Sequence, residues 1–366
     1  MDSDIVLVIV VFAALAFDFT NGFHDTANVV ATSISTHALT PRVAVAMAAV
    51  LNFAGAFISI QVAATVAQDV VQATAITTTV IFAGLVGAIS WNLITWYFGL
   101  PSSSSHALIG GMVGAALAAV GTSAVIGEGV LGKVLIPAIL APVIAFVIGV
   151  LAITIAYWTC GRLRPGPAAR GFRLGQIASG GMLALAHGTN DAQKTMGVIT
   201  LALIANGNLS ATDFEVPTWV IVASATAISL GTYTGGWRII RTMGTRIIKM
   251  DSAQGFSAQG AGAAVILASS HFGYPLSTTQ VIAGGVMGAG AGKRVSAVRW
   301  GVAGNLVVAW VLTLPAAAAI GAAAYGFTSI FGNGAVGPLL VSVMAIGLGL
   351  ALFARRIRAG QPVPQV

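Results

Sequence analysis

Charge is what this 366-residue chain has least of: 17 Lys+Arg and 10 Asp+Glu, together 7% of the residues. A soluble protein of this length carries about a quarter, so no water-facing surface can be assembled from it. Cysteine is nearly absent too. The single Cys160 excludes an internal disulfide framework and a cysteine-based metal centre. The basic excess, +7 at neutral pH, is gathered on no single patch or tail, which argues against a nucleic-acid partner. Met1-Asp2-Ser3-Asp4 lacks the basic n-region of a cleaved signal peptide. Apolar and small residues are what is plentiful: 57% are hydrophobic and 45 are Gly. Small residues let membrane helices approach closely. The composition therefore implies an all-α integral membrane protein whose surroundings are the lipid bilayer.

A helix needs about 20 apolar residues to cross the hydrocarbon. Candidate spans run near 5–36, 43–66, 75–97, 103–121, 134–159, 174–207, 217–237, 255–272, 276–292, 300–326 and 336–354, or eleven to twelve transmembrane segments. Basic residues collect between them, at Arg42, at Arg162 to Arg173, at Arg238 to Lys249, at Lys293 to Arg299, and at Arg355, Arg356 and Arg358. Acidic residues fall elsewhere, at Asp2, Asp4, Asp69, Glu128, Asp213 and Glu215. The positive-inside rule puts the basic loops in the cytoplasm. Alternation then works only if 75–121 leaves from and returns to the outside, and 255–292 does so from the inside. With both as hairpins, re-entrant or full-span, 15 of the 17 basic residues lie inside; Lys133 is outside and Lys194 within the membrane. This places the N-terminus outside and the C-terminus in the cytoplasm.

The two hairpins carry matching turns. Phe98-Gly99-Leu100-Pro101-Ser102-Ser103-Ser104-Ser105-His106 aligns with Phe272-Gly273-Tyr274-Pro275-Leu276-Ser277-Thr278-Thr279-Gln280 at a constant offset of 174. Earlier in each half, Asn21-Gly22-Phe23-His24-Asp25-Thr26-Ala27-Asn28 aligns with His187-Gly188-Thr189-Asn190-Asp191-Ala192-Gln193-Lys194 at an offset of 166. Two motifs in the same order, in halves whose hairpins open to opposite sides, mark an inverted-topology repeat. Secondary transporters are built this way, with the site at the repeat interface near the midplane. The expected organisation is a first repeat over 1–159, a cytoplasmic linker over 160–176, a second repeat over 177–326, and an extra C-terminal helix with a basic tail over 327–366.

Asp18, Asn21, Asp25, Asn28 and Thr32 recur at spacings of three and four and so share one helix face. His187, Asp191 and Lys194 repeat the spacing, with Asn190 beside them. An ionisable residue at bilayer depth costs about 2.5–3.5 kcal/mol on insertion scales, which marks Asp25, Asp191 and Lys194 as functional; the bland alternative is an Asp191–Lys194 pair that only packs the helix. Asp18 has no counterpart, since Ala184 aligns with it, and near the outer end of its span it is expected to meet water. Gly22 and Gly188 admit two readings: close helix packing, or a break that frees backbone groups for a ligand. The fold expected here has the break, in the first helix of each repeat.

Pro101 and Pro275 end the preceding segments. Ser102, Ser103, Ser104 and Ser105, and Ser277, Thr278 and Thr279, then open helices whose N-termini point at the turns. Free N–H groups, a positive dipole end and hydroxyls suit an oxyanion. N-capping alone needs one hydroxyl per helix. Asp25 and Asp191 repel a dianion unless cations or protons sit between, so the anion is expected to enter with H⁺, Na⁺ or a divalent metal. The amide oxygens of Asn21, Asn28 and Asn190 suit hard cations. No catalytic residues and no resident cofactor are expected. An intramembrane protease on Asp25 and Asp191 lacks its surrounding motifs, and a channel has no use for paired carboxylates along its path.

At these residues the chain resembles the inorganic phosphate transporter (PiT) family, over about residues 10–325 and closest to its bacterial low-affinity branch. The repeated Gly-x-Asn-Asp-x-x-Asn signature and the Pro-Ser-Ser-Ser/Thr turns carry the resemblance. It implies a homodimer of inverted repeats and symport of inorganic phosphate, in the bacterial branch as a neutral divalent metal–phosphate complex (with Mg²⁺, for example) together with H⁺; other members use Na⁺. On that basis phosphate is expected on Ser102–Ser105, Ser277, Thr278, Thr279 and Lys194. The coupling cation falls to Asn21, Asp25, Asn28, Asn190 and Asp191, with Asp25 and Asp191 as metal ligands. The sequence departs from the signature at His24 and at Lys194, which stands where the other half has Asn28. A fixed ammonium there takes the place of a bound cation and favours H⁺ over Na⁺. A sulfate permease is the nearest rival, disfavoured because a carboxylate accepts a hydrogen bond from HPO₄²⁻ and none from SO₄²⁻.

Overall fold

The structure, a computed structural model, describes residues 2–358 apart from 163, 213 and 333. Asp213 and the part of the basic tail beyond Arg358 lie outside the described residues. The helices in chain order are α1 (Asp2–Ser35), α2 (Pro41–Gly55), α3 (Gln61–Gln68), α4 (Thr78–Phe98), α5 (Ser104–Ala119), α6 (Gly127–Gly129), α7 (Ile136–Cys160), α8 (Pro165–Ala205), α9 (Thr218–Thr234), α10 (Trp237–Arg241), α11 (Ser252–His271), α12 (Thr278–Lys293), α13 (Trp300–Ser329) and α14 (Val336–Arg358). A π-helical stretch, Val130–Leu135, joins α6 to α7 without a break. No strand forms among the described residues; one isolated bridge ties Val71 to Val125.

Among the described residues, four helices meet the length and apolarity needed to cross a membrane: Ser3–Ser35, Thr78–Phe98, Gly127–Cys160 and Trp300–Ser329. Large apolar side chains on α7 and α13 face outward, among them Ile139 at 70% and Val311 at 68% exposure. A continuous face of this kind belongs against lipid rather than water. This is a multi-pass membrane protein.

The predicted span 43–66 is instead two helices, α2 and α3, both packed on α8. The interruption holds because Gln193 of α8 accepts from the backbone N–H groups of Val62 and Ala63 (2.8 and 3.3 Å). Those are donors that a new helix N-terminus would otherwise leave unpaired. Most of the segment 160–176, expected as a linker, forms the opening turns of α8. Pro165 starts that helix where its missing N–H costs nothing, and α8 then runs 41 residues, about 60 Å at 1.5 Å per residue.

The expected breaks in the first helices do not occur. Both α1 and α8 are continuous through Gly22 and Gly188. A Cβ on Gly22 would strike the Ile228 carbonyl of α9, and one on Gly188 the Asn52 carbonyl of α2. The glycines are there because two helix backbones touch. At the hairpin turns glycine is needed for conformation: Gly99 and Gly273 have φ of 65° and 74°, a region that costs other residues roughly 1–2 kcal/mol.

Buried apolar side chains form two clusters. One holds Val10, Ala14 and Phe17 of α1, Met196 to Ala202 of α8, and the hairpin α4–α5. The other holds Ala27 to Ala31 of α1, Leu183 to Ala186 of α8, and the hairpin α11–α12. Thus α1 and α8 each pass from one cluster to the other, in opposite chain directions, and the two hairpins belong to different clusters. Between the clusters lies a polar layer that contains both signature motifs.

Candidate functional site

Each hairpin turn repeats the other's backbone hydrogen bonds. Gly99 N–H donates to Trp96 O, Leu100 N–H to Thr95 O and Ser102 N–H to Leu100 O. Gly273 donates to Ser270, Tyr274 to Ser269 and Leu276 to Tyr274, the same bonds 174 residues on. Ser103 and Ser277 are the N-caps, accepting from the N–H of His106 and Gln280 at 3.1 and 3.3 Å. One hydroxyl per turn does the capping, and the rest are free for other partners. The first turn is held from outside by Thr242, on Gly99 O at 3.1 Å, and by Trp310, on Pro101 O at 3.1 Å. Asn190 holds the second, donating to Ser270 Oγ at 2.9 Å and to Tyr274 O at 3.1 Å.

All the predicted site residues converge in the polar layer, and every one is buried. Asp25 accepts from four donors: His24 Nδ1 (3.1 Å), Asn28 Nδ2 (3.0 Å), Thr279 Oγ1 (3.0 Å) and Ser104 Oγ. Ser104 also reaches Asn21 Oδ1 at 2.7 Å, and Asn21 Nδ2 lies 3.4 Å from Asp191 Oδ2. Lys194 Nζ is 2.5 Å from Asp191 Oδ1, 2.5 Å from Ser105 Oγ and 2.8 Å from Leu276 O. It therefore ties Asp191 to both hairpin turns. Thr278 Oγ1 approaches Asp191 Oδ2 at 3.4 Å, and Asn28 Nδ2 donates to Thr279 Oγ1 at 2.7 Å. Ser105 donates to Leu276 O at 2.9 Å, and Ser102 donates to Thr95 Oγ1 at 2.7 Å, away from the carboxylates.

The ligand atoms of Asp25, His187 and Asp191 lie within 4.8 Å of one another. Two carboxylates and an imidazole at that separation can share one divalent cation. The amide oxygens of Asn28 and Asn190 make no hydrogen bond among the described residues, leaving two further hard donors at the layer. His106 and Gln280, equivalent positions after the two runs, face each other at 3.4 Å.

Sequence reading singled out several of these neighbours without giving them a role, and missed others. His24 bridges Asp25 to Thr95 (3.2 Å), and His187 lies between Asn52 Oδ1 (3.1 Å) and Asp191 Oδ2 (3.2 Å). Asn52 was detectable as a lone amide in an apolar span. Thr95 carried no such signal. Asp18 is the clear correction. Expected to meet water at a span's end, it is fully buried at 0% exposure, because α1 extends beyond it by four turns and α8 lies against that face.

Known proteins share both the sequence and the shape. A sequence model described as "Phosphate transporter family" matches residues 21–321. The chain is 56% identical over 327 residues to a Mycobacterium bovis protein named "Probable low-affinity inorganic phosphate transporter", covering 89% of this chain and 78% of that one. A Bacillus subtilis protein of the same name is 48% identical over 323 residues, covering 88% and 96%. A solved structure, "The sodium-dependent phosphate transporter", superposes with a TM-score of 0.79 at 24% identity over 87% of this chain and 98% of its own. At that identity the likeness concerns the fold. Taken with the motif geometry above, these matches place the chain in the phosphate transporter family.

Proposed function

We propose that the protein takes up inorganic phosphate across the inner membrane by cation-coupled symport, carrying a neutral divalent metal–phosphate complex with H⁺. The observation that carries this is the sharing of donors at the polar layer. Ser104, Thr278 and Thr279 stand at the N-termini of two facing helices, where an oxyanion is favoured. In the structure their hydroxyls point at Asp25 and Asp191. A divalent cation on Asp25, Asp191 and His187 satisfies those carboxylates and releases the hydroxyls to phosphate oxygens. Metal and anion then depend on each other, which is what co-transport as one neutral species requires. Lys194 contributes fixed positive charge beside the anion and fills the position of a second cation, which favours H⁺ over Na⁺. Carboxylates that accept from HPO₄²⁻ favour phosphate over sulfate.

The placement of the two hairpins in different apolar clusters supports inverted repeats over 1–159 and 177–326. With the loop charges, it supports an external N-terminus and a cytoplasmic C-terminus. The assembly is read as a homodimer. Radiolabelled phosphate uptake by the purified protein in liposomes, with pH gradient, Na⁺ and Mg²⁺ varied and sulfate as competitor, tests the reading. The expected result is accumulation that follows the pH gradient, needs Mg²⁺, ignores Na⁺ and resists equimolar sulfate. Uptake that requires Na⁺ and ignores pH overturns the proton coupling, and absence of any phosphate uptake overturns the function.

A further inference from the structure

Asp18 is fully buried, and neither of its carboxylate oxygens is in hydrogen-bond geometry with any described residue. The mechanism above does not use it. Its situation contrasts with that of Asp25, which accepts from four side chains, and of Asp191, which is paired with Lys194 and faces His187. Those two carboxylates are committed to the protein's own donors and, when substrate is present, to the metal. Thr195 on α8 and Asn21 are the polar side chains directed at the Asp18 carboxylate, and the fully buried Thr195 hydroxyl is in hydrogen-bond geometry with no described residue. Asn21, one helical turn along α1, connects this spot to Ser104 and Asp191. The charged groups facing Asp18 are Asp191 and Lys194, both on α8.

A buried carboxylate whose oxygens lack well-formed hydrogen bonds is costly as a charge, and an intramembrane acid is retained where a cation joins it. We propose that Asp18, with the Thr195 hydroxyl beside it, is the seat of the coupling cation that travels with the metal–phosphate complex. This rests on the symport reading. It separates two jobs: Asp25 and Asp191 handle the substrate's metal, and Asp18 handles the driving ion. Asn21 is the link through which one site senses the other.

The test uses the full chain in liposomes and two measurements. One is phosphate exchange at equal concentrations on both sides without an ion gradient; the other is accumulation driven by a pH gradient or by a Na⁺ gradient. The gradient that drives the unsubstituted protein identifies the cation. For Asp18→Asn the expected result is loss of accumulation by at least about tenfold with exchange still measurable, tenfold being about 1.4 kcal/mol, and Asp18→Glu is expected to restore part of the accumulation. Accumulation that persists in Asp18→Asn overturns the proposal, and so does loss of exchange together with accumulation in a folded variant, which would make Asp18 part of the substrate site. If Asp18→Asn does not fold, Thr195→Val decides: a shift of the driving-ion concentration for half-maximal accumulation supports the proposal, and an unchanged value overturns it. Failure of the unsubstituted protein to exchange phosphate at all is a failure of the symport reading instead.

Discussion

Asn28 and Lys194 stand at equivalent positions, 166 residues apart, and make equivalent contacts in opposite directions. Asn28 bonds Asp25 on its own helix and Thr279 on the second hairpin. Lys194 bonds Asp191 on its own helix and Ser105 on the first hairpin. Ser105 and Thr279 are themselves equivalent at the offset of 174. Each motif thus clasps the other hairpin, and the layer is held by a pair of exchanged contacts. Only the chemistry differs, an amide on one side and an ammonium on the other.

That difference makes Lys194 the more costly residue to lose. Removing one partner of a buried ion pair leaves an uncompensated charge and costs about 3–5 kcal/mol. Lys194→Met is expected to lower the detergent melting temperature well beyond what Asn28→Ala does. Adding Asp191→Asn to Lys194→Met removes the orphaned charge and is expected to recover most of the loss. A double variant no more stable than the Lys194→Met single variant would show that the pair is not coupled.

Asp25→Asn and Asp191→Asn are each expected to abolish phosphate uptake. Four donors converge on Asp25, so an amide must turn its own N–H₂ toward groups that also donate. Leaving such buried donors unpaired costs about 1–3 kcal/mol apiece, and the proposed metal would lose a charged ligand as well. Uptake in liposomes should fall by two orders of magnitude or more, at about 1.4 kcal/mol per tenfold. A variant that transports normally removes that residue from the site.

Gly22→Ala and Gly188→Ala distinguish packing from flexibility. If the glycines served a helix break, alanine would reduce uptake and leave stability unchanged. Because a methyl at either position meets a neighbouring helix's carbonyl, the expected effect is a loss of stability of about 1–3 kcal/mol, typical of overpacking. Thermal unfolding of the two variants, compared with their uptake, checks it.

How much of this was legible in the sequence depends on how local each feature is. The hydroxyl runs, the prolines and the Asp-bearing motifs are contiguous, so their chemistry and repetition could be read directly. The pairing of Asn28 with Thr279 spans 251 residues and follows from no local pattern, although the repeat implies that the motifs meet. The role of Gly22 was decided by Ile228 on another helix, and the burial of Asp18 by the helix laid against it. Both were misjudged for the same reason: along a membrane helix, sequence gives depth but not which face is covered. The interruption between α2 and α3 was likewise hidden, since its cause is Gln193 on α8.

The end of the second hairpin at Asp251 and Lys293 offers a pH test. Asp251 caps α11 in a capping box with Gln254, accepting from its N–H at 2.9 Å, and also meets Lys293 Nζ at 2.8 Å and Tyr157 Oη at 3.1 Å. Partial burial pushes its carboxyl upward, but the Lys293 and Gln254 bonds outweigh that and hold it below the ordinary carboxylate value. A group so lowered stabilises the fold above its unfolded value, about 3.9, and that contribution is lost as pH falls through the lower folded value. Both side chains are about half exposed (50% and 44%), so solvent screens the ion pair and the cap carries most of the effect, about 0.5–2 kcal/mol. Asp251→Ala is therefore expected to melt a few degrees lower than the unsubstituted protein at pH 7. The gap should narrow as pH drops below about 4. A gap that stays constant down to pH 3 would assign the loss to packing rather than to the ionised cap.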